Sequence, residues 1–155
     1  MTIRNTAIRL ALEAHQGDRN KHDGELYLLH VARVAALVEA RGGDDVDIAV
    51  AWLHDTVEDT ILNYDDITQA FLPYLDPDRH PVLEIVEAVR AITKVAGESN
   101  NDYYHRVKLN PVARRVKLCD MHDNFSRNHL VVDPETAARL AKKYSLGMMI
   151  LGEAT

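Results

Sequence analysis

The sequence predicts an all-α fold, a compact bundle of about seven or eight helices. Three observations predict it. Apolar residues recur at the i, i+3, i+4, i+7 spacing of a helical face along most of the chain. No alternating run bounded by hairpin turns marks a strand. Helix-start signals recur at Thr2, at Asp44 or Asp45, at Asn110-Pro111 and at Asp133-Pro134, each a polar cap followed by proline or an apolar-faced run.

The elements follow in order. Thr2 caps a first helix that runs to about His15, with Ile3, Ala7, Leu10, Ala11 and Ala14 on one face. Residues 17–29 hold two glycines and many polar groups and read as a mobile loop. A second helix starts near His30, turns Val31, Val34, Ala35, Leu37 and Val38 inward, and ends at Gly42 and Gly43. A third carries Ile48, Ala49, Trp52 and Leu53 toward His54. Tyr64 to Phe71 makes a short helix that stops before Pro73, and residues 73–81 carry three prolines and form a loop. Pro81 opens a helix with Val82, Ile85, Val86 and Val89 on its face. After a break at Gly97 to Asn101, a helix runs from about Asp102 to near Asn110. The helix after Pro111 carries Val112, Val116 and Cys119 toward Asp120, and the last carries Ala137, Leu140, Ala141, Tyr144 and Met148.

Composition narrows the function classes. With 155 residues, 46% of them hydrophobic and 27% charged, the chain is expected to form one globular domain over residues 1–155. A net charge of −6 argues against a DNA or RNA partner held by a broad basic surface. The N-terminal stretch alternates polar and apolar residues, unlike a signal peptide, and no segment is apolar for long enough to span a bilayer. A cytoplasmic protein with no membrane partner is the expectation. The single cysteine, Cys119, lies in an apolar run and reads as a small buried thiol. Between Tyr103 and Lys117 the charges are all basic: Arg106, Lys108, Arg114, Arg115 and Lys117. Such a stretch is either a solvated helix face or a contact for a small polyanion such as a nucleotide.

The most informative segment is residues 51–60, AWLHDTVEDT, where an apolar helix ends in His54, Asp55, Glu58 and Asp59. Residues i and i+4 share a helix face, so a continued turn stacks Glu58 on His54 and Asp59 on Asp55. Thr56 and Val57 are β-branched and are expected to loosen the helix there. A nitrogen and a carboxylate side by side suit a borderline divalent ion. Two ligands rarely suffice, and His30 and Asp120 each stand where an apolar-faced element could aim them inward.

His30, then His54-Asp55, then Asp120 resembles the H…HD…D pattern of the HD phosphohydrolase superfamily. Residues 54–60, HDTVEDT, look more specifically like the HD-x-x-ED motif of the ppGpp pyrophosphohydrolases, among them the hydrolase half of the RelA/SpoT enzymes and the small alarmone hydrolases. Ala14-His15 ahead of Arg19 and Lys21, residues 24–30, Phe71, residues 91–94 (AITK) and residues 116–120 with Asn124 fit the same family in order. The resemblance covers roughly residues 5–150. Three positions depart from it: Val31 stands for the family's proline, Cys119 and Met121 flank Asp120 in place of alanine and arginine, and Asn20 splits the basic pair of the first loop.

The resemblance implies an HD-type fold and a metal-dependent hydrolase of a small phosphorylated nucleotide. It implies His30, His54, Asp55 and Asp120 as ligands of one divalent ion, Mn²⁺ foremost, with Fe²⁺, Co²⁺ or Mg²⁺ as alternatives. Glu58 and Asp59 correspond to the acid/base pair. Arg19 and Lys21 are expected to grip phosphates, Asn124 to meet the base or ribose, and Lys117 and Arg106 to serve as further substrate contacts. The expected reaction removes the 3′-pyrophosphate of ppGpp or a related nucleotide. The alternatives are release of orthophosphate from a nucleoside monophosphate, a dNTP or NADPH, and a non-catalytic nucleotide sensor. His15, His22, His80, His105 and His129 fall outside the pattern, and His122 is expected to support the metal site from behind. Tyr144 reads as core packing. The oligomeric state is left open.

Overall fold

The third helix, α3 (Asp45–Leu53), is apolar on nearly every side, and Val46, Ile48, Ala49, Val50, Ala51 and Leu53 are all buried. A helix with no polar face must be surrounded. α1 (Ile3–Ala14), α2 (Tyr27–Ala40), α6 (Pro81–Ile92) and α8 (Pro111–Ser126) pack around it. The computed structural model describes residues 1–78 and 80–152. Arg79 of the proline-rich loop and the last three residues of the expected 1–155 domain lie outside them.

A single turn, α4 (Thr56–Asp59), follows α3, and α5 (Tyr64–Phe71) packs on α6. α7 (Asn100–Lys108) and α9 (Pro134–Gly152) close the bundle against α8. Among the described residues there are therefore eight helices of two turns or more, with α4 as an extra turn. The expected all-α bundle is what forms, and no described helix is long and apolar enough to cross a membrane.

Side-chain caps explain five of the helix starts. Thr2, Asp44, Asn63, Ser99 and Asn110 each accept a backbone N–H of the first turn they precede. Asp44 and Asp47 form a reciprocal box, and Asp47, though buried, meets Arg115 at 2.7 Å. Two starts differ from expectation. α7 begins at Asn100 because Ser99 is the cap. α2 begins at Tyr27, so His30 lies at the end of the first turn instead of opening the helix.

The α1–α2 connection, a loop as its composition suggests, is closed by hydrogen bonds of its own backbone. Asn20 N–H bonds Glu25 O at 2.8 Å, Gly24 N–H bonds Asn20 O at 2.9 Å, and Tyr27 N–H bonds Asp18 O at 2.9 Å. Arg19 and Leu26 form an isolated antiparallel bridge within it.

Gly147 sets the approach of α9. A Cβ there would lie 2.3 Å from Met121 Sδ and 2.7 Å from Tyr104 Cζ. Only a residue without a side chain lets α9 lie this close to α7 and α8.

Candidate active site

Two side chains take over the last carbonyls of α3. His54 Nδ1 donates to Ala51 O at 2.7 Å, and the Thr56 hydroxyl donates to Leu53 O at 2.8 Å. Asp55 leaves the helical region at φ −110, ψ 0, and α4 begins. The break thus falls one residue before the β-branched pair. Helical turn resumes at once, and Asp59 N–H bonds Asp55 O at 3.0 Å, which places Asp59 one turn beyond Asp55.

A carbonyl can only accept, so the His54 Nδ1 proton is fixed and Nε2 is the nitrogen free to meet an ion. His54 Nε2 is buried without a hydrogen bond, although Asp55 Oδ2 lies at 2.9 Å and Asp120 Oδ1 at 3.4 Å. His30 repeats the arrangement from α2. Its Nδ1 lies 2.7 Å from Asp123 Oδ2, and its Nε2 lies 3.0 Å from Asp120 Oδ1. One ligand atom from each of His30, His54, Asp55 and Asp120 lies within 4.8 Å of all the others. α2, the α3–α4 junction and α8 supply these four, so the cluster exists only when these elements pack.

The electrostatics fit a cation at that point. Burial opposes charge on both histidines. Hydrogen bonds to Asp120 and Asp123 nevertheless raise His30 to about 9. The charges of Asp55 and Asp120 hold His54 well above its ordinary value. Burial also works against the Asp120 and Asp55 carboxylates. Lys117 and His54 keep Asp120 well below the usual range, and His54 keeps Asp55 low. The same carboxylates that favour protonated imidazoles also favour a divalent cation at that point, whose binding requires those protons to leave. The mixed nitrogen and oxygen donor set suits a borderline divalent ion.

Asp55 and Asp120 line a cleft of about 480 Å³, with His30 and His54 buried beside them. Glu58 and Asp59 line it, both exposed, and Glu58 Oε2 accepts the Lys94 N–H at 3.3 Å. Desolvation in the cleft, with the charges of Asp55 and Glu58, pushes Asp59 up to about 6. Arg19, Lys21, Asn124 and Lys117 also line the cleft. Lys117 is committed to Asp120, with its Nζ 2.7 Å from Oδ2 and 5.4 Å from the Tyr103 ring centroid. Asn124 Nδ2 donates to Asp120 Oδ1 at 3.1 Å.

Two expectations are corrected. Arg106 does not face the cleft: its guanidinium bonds Glu98 at 2.7 Å and the Ala91 and Thr93 carbonyls at 2.9 Å, so it ties α7 to the end of α6. His122 is exposed, and the side chain behind His30 is Asp123. On a helix, i+3 shares the face of Asp120 and i+2 does not.

The sequence reading missed several neighbours. The Tyr27 hydroxyl donates to Asp55 Oδ2, and its ring stands between those of His15 and His30 at centroid distances of 5.1 and 5.5 Å. His15 is buried at the cleft edge rather than remote from the site. Lys94, Arg139 and Lys143 add positive charge to the cleft wall, and the i+4 spacing of Arg139 and Lys143 was the available signal. Tyr144 both packs against the core and lines the cleft.

Comparison with known proteins bears on this arrangement. A family model described as HD domain matches residues 7–123. A guanosine-3′,5′-bis(diphosphate) 3′-pyrophosphohydrolase of Aquifex aeolicus is 32% identical over 142 residues, covering 88% of this chain and 19% of that protein. A probable enzyme of the same name from Synechocystis is 30% identical over 146 residues, covering 88% and 18%. The chain therefore spans about a fifth of the length of these curated relatives. The solved structure of a metazoan SpoT ortholog that hydrolyses ppGpp matches with a TM-score of 0.77, over 97% of this chain and 86% of that one, at 21% identity. That match speaks to the fold. The family model spans all four clustered donors and the Glu58-Asp59 pair, and on that ground the chain belongs to the HD-domain family.

Proposed function

We propose that this chain is a metal-dependent phosphohydrolase that removes the 3′-pyrophosphate of ppGpp or a related nucleotide. The observation that carries the proposal is the convergence of His30, His54, Asp55 and Asp120, two of which, Asp55 and Asp120, line a cleft that also carries Glu58 and Asp59. The names of the relatives from Aquifex aeolicus and Synechocystis and of the metazoan SpoT ortholog support the substrate class.

A divalent ion held by the four ligands, Mn²⁺ foremost, would supply activation of water and neutralise phosphate charge. Glu58 orients the attacking water and takes its proton, and Asp59 holds that water or protonates the leaving oxygen. Arg19 and Lys21 at the cleft rim grip phosphate oxygens, Arg19 through its planar fork. Lys94, Arg139 and Lys143 on the wall balance the charge of a substrate with more than one phosphate group. Asn124 keeps one amide donor on Asp120 and offers its remaining groups to the nucleotide.

Product analysis tests the reading. Purified protein with Mn²⁺ is incubated separately with ppGpp, GTP, dNTPs, nucleoside monophosphates and NADPH. Pyrophosphate and GDP from ppGpp are the expected products. Orthophosphate from another nucleotide would keep the metal chemistry and replace the substrate. Metal uptake with no turnover on any of them would favour a nucleotide sensor.

A further inference from the structure

Behind the proposed metal ligands lies a chain of ion pairs that the reaction itself does not use. His30 Nδ1 bonds Asp123 Oδ2 at 2.7 Å. Arg33, one turn along α2 from His30, meets Asp123 Oδ1 with Nε at 2.8 Å and Oδ2 with Nη2 at 3.1 Å. The adjacent edge of the same guanidinium, Nη1 and Nη2, meets both oxygens of Glu25 at 2.8 Å. Glu25 and Asp23 are then joined by Arg127 Nη2, at 3.3 and 2.9 Å. Asp23 and Glu25 belong to the α1–α2 connection, the segment that carries Arg19 and Lys21.

We infer that Asp123 and Arg33 are positioning residues, and that their relay ties metal occupancy at His30 to the order of the loop carrying Arg19 and Lys21. The inference rests on the metal-centre reading above.

The physical case has three parts. Asp123 is a carboxylate and only accepts, so it keeps the His30 proton on Nδ1 and leaves Nε2 for the ion. Arg33 contacts two carboxylates through adjacent edges of one rigid plane, with Nη2 shared between them, so a shift of Glu25 is felt at Asp123. The members are shielded: side-chain exposure is 6% for Asp123, 12% for Asp23, 18% for Glu25 and 33% for Arg33. Pairs this sheltered are screened far less than surface pairs. The loop is tied at the same point by its own backbone, since Glu25 O accepts from Asn20 N and the Arg19 guanidinium bonds Gly24 O at 2.9 Å. Coupling of this kind is reciprocal. If an ion at His30 tightens the loop, a phosphate gripped by the loop tightens the ion.

The test uses the full chain and Mn²⁺ alone as the probe. Titration calorimetry measures Mn²⁺ affinity of wild type, Asp123→Asn, Glu25→Gln and the double variant. Amide hydrogen exchange of Asn20, Gly24 and Tyr27 is followed with and without the ion. Asp123→Asn is expected to weaken Mn²⁺ binding by about 10- to 100-fold. Glu25→Gln touches neither a metal ligand nor the cleft, yet is expected to weaken it several-fold. The double variant should match Asp123→Asn, because both changes cut one relay. Mn²⁺ should slow exchange of the loop amides in wild type and not in Glu25→Gln. Should Asp123→Asn fail to fold, Glu25→Gln carries the test by itself. Wild-type affinity and ion-dependent loop protection in Glu25→Gln would overturn the relay while leaving the metal centre intact. Wild-type protein that takes up no Mn²⁺ overturns the metal-centre reading, and the relay with it.

Discussion

Lys117 Nζ lies 2.7 Å from Asp120 Oδ2, three residues apart on α8, with both side chains largely withdrawn from solvent. Burial opposes the Lys117 charge, but the Asp120 carboxylate outweighs it and holds the ammonium well above its usual range. A cleft-lining lysine that reads as a substrate contact in the sequence thus also balances the charge of Asp120, one of the four clustered donors.

Removing that charge should matter most when no ion is bound. Lys117→Met is expected to destabilise metal-free protein, by up to about 3 kcal/mol, because Asp120 Oδ2 loses its ammonium partner while Oδ1 keeps His30 and Asn124. Added Mn²⁺ should recover most of the loss, because the ion replaces the missing charge. Urea denaturation in chelator and in Mn²⁺ measures both. Equal losses in the two conditions would separate Lys117 from the metal site.

Ligands and acid/base groups should fail differently. Asp120→Ala is expected to lose metal and turnover together. Glu58→Gln is expected to keep its metal and lose turnover by about 10²- to 10⁴-fold. Elemental analysis beside steady-state rates distinguishes them. Full metal content in Asp120→Ala would remove it from the ligand set, and unchanged turnover in Glu58→Gln would end its assigned role.

Gly147→Ala should strain the α7–α8–α9 junction. Its Cβ would fall 2.3 Å from Met121 Sδ and 2.7 Å from a Tyr104 ring carbon. The thioether can swing aside but the buried ring cannot. The expected loss is about 1–3 kcal/mol, even though alanine is the better helix former. Thermal unfolding checks it, and a melting temperature at or above wild type would show that α9 has room to shift.

The Arg106–Glu98 clamp gives a prediction in acid. The guanidinium pulls the Glu98 carboxyl from 4.5 down to about 2. A depressed carboxyl contributes stability that is complete above its unfolded value and is lost as pH falls through the folded one. The stability gap between wild type and Glu98→Gln should therefore be full above about pH 4.5 and should close as pH falls toward 2. Denaturation across that window measures it, and a gap independent of pH would show that the clamp acts through packing instead.

Much of this molecule could be read along the chain because local chemistry decides it. The caps Thr2, Asp44 and Asn110, and the prolines that open α6, α8 and α9, act on their own first turns. The HD and ED residues stand within one short segment, so their proximity needs no tertiary fold. Where that local logic was incomplete, boundaries moved: α2 starts at Tyr27 with no side-chain cap at all, and Glu25 in the loop before it pairs with Arg33 and Arg127 from other parts of the chain.

The sequence by itself determined an all-helical chain, the buried character of α3 and the residue types able to hold an ion. Only the tertiary structure decided which atoms of those residues meet. His30 and Asp120 stand on separate helices, and packing alone brings His30 Nε2 within 3.0 Å of Asp120 Oδ1. Tertiary packing likewise turned Arg106 onto Glu98, placed Asp123 rather than His122 behind His30, and set Tyr27 against Asp55. The reason is physical. Caps and periodicity act over one turn of chain, whereas the direction of a long polar side chain follows whichever opposite charge the packed helices bring within reach.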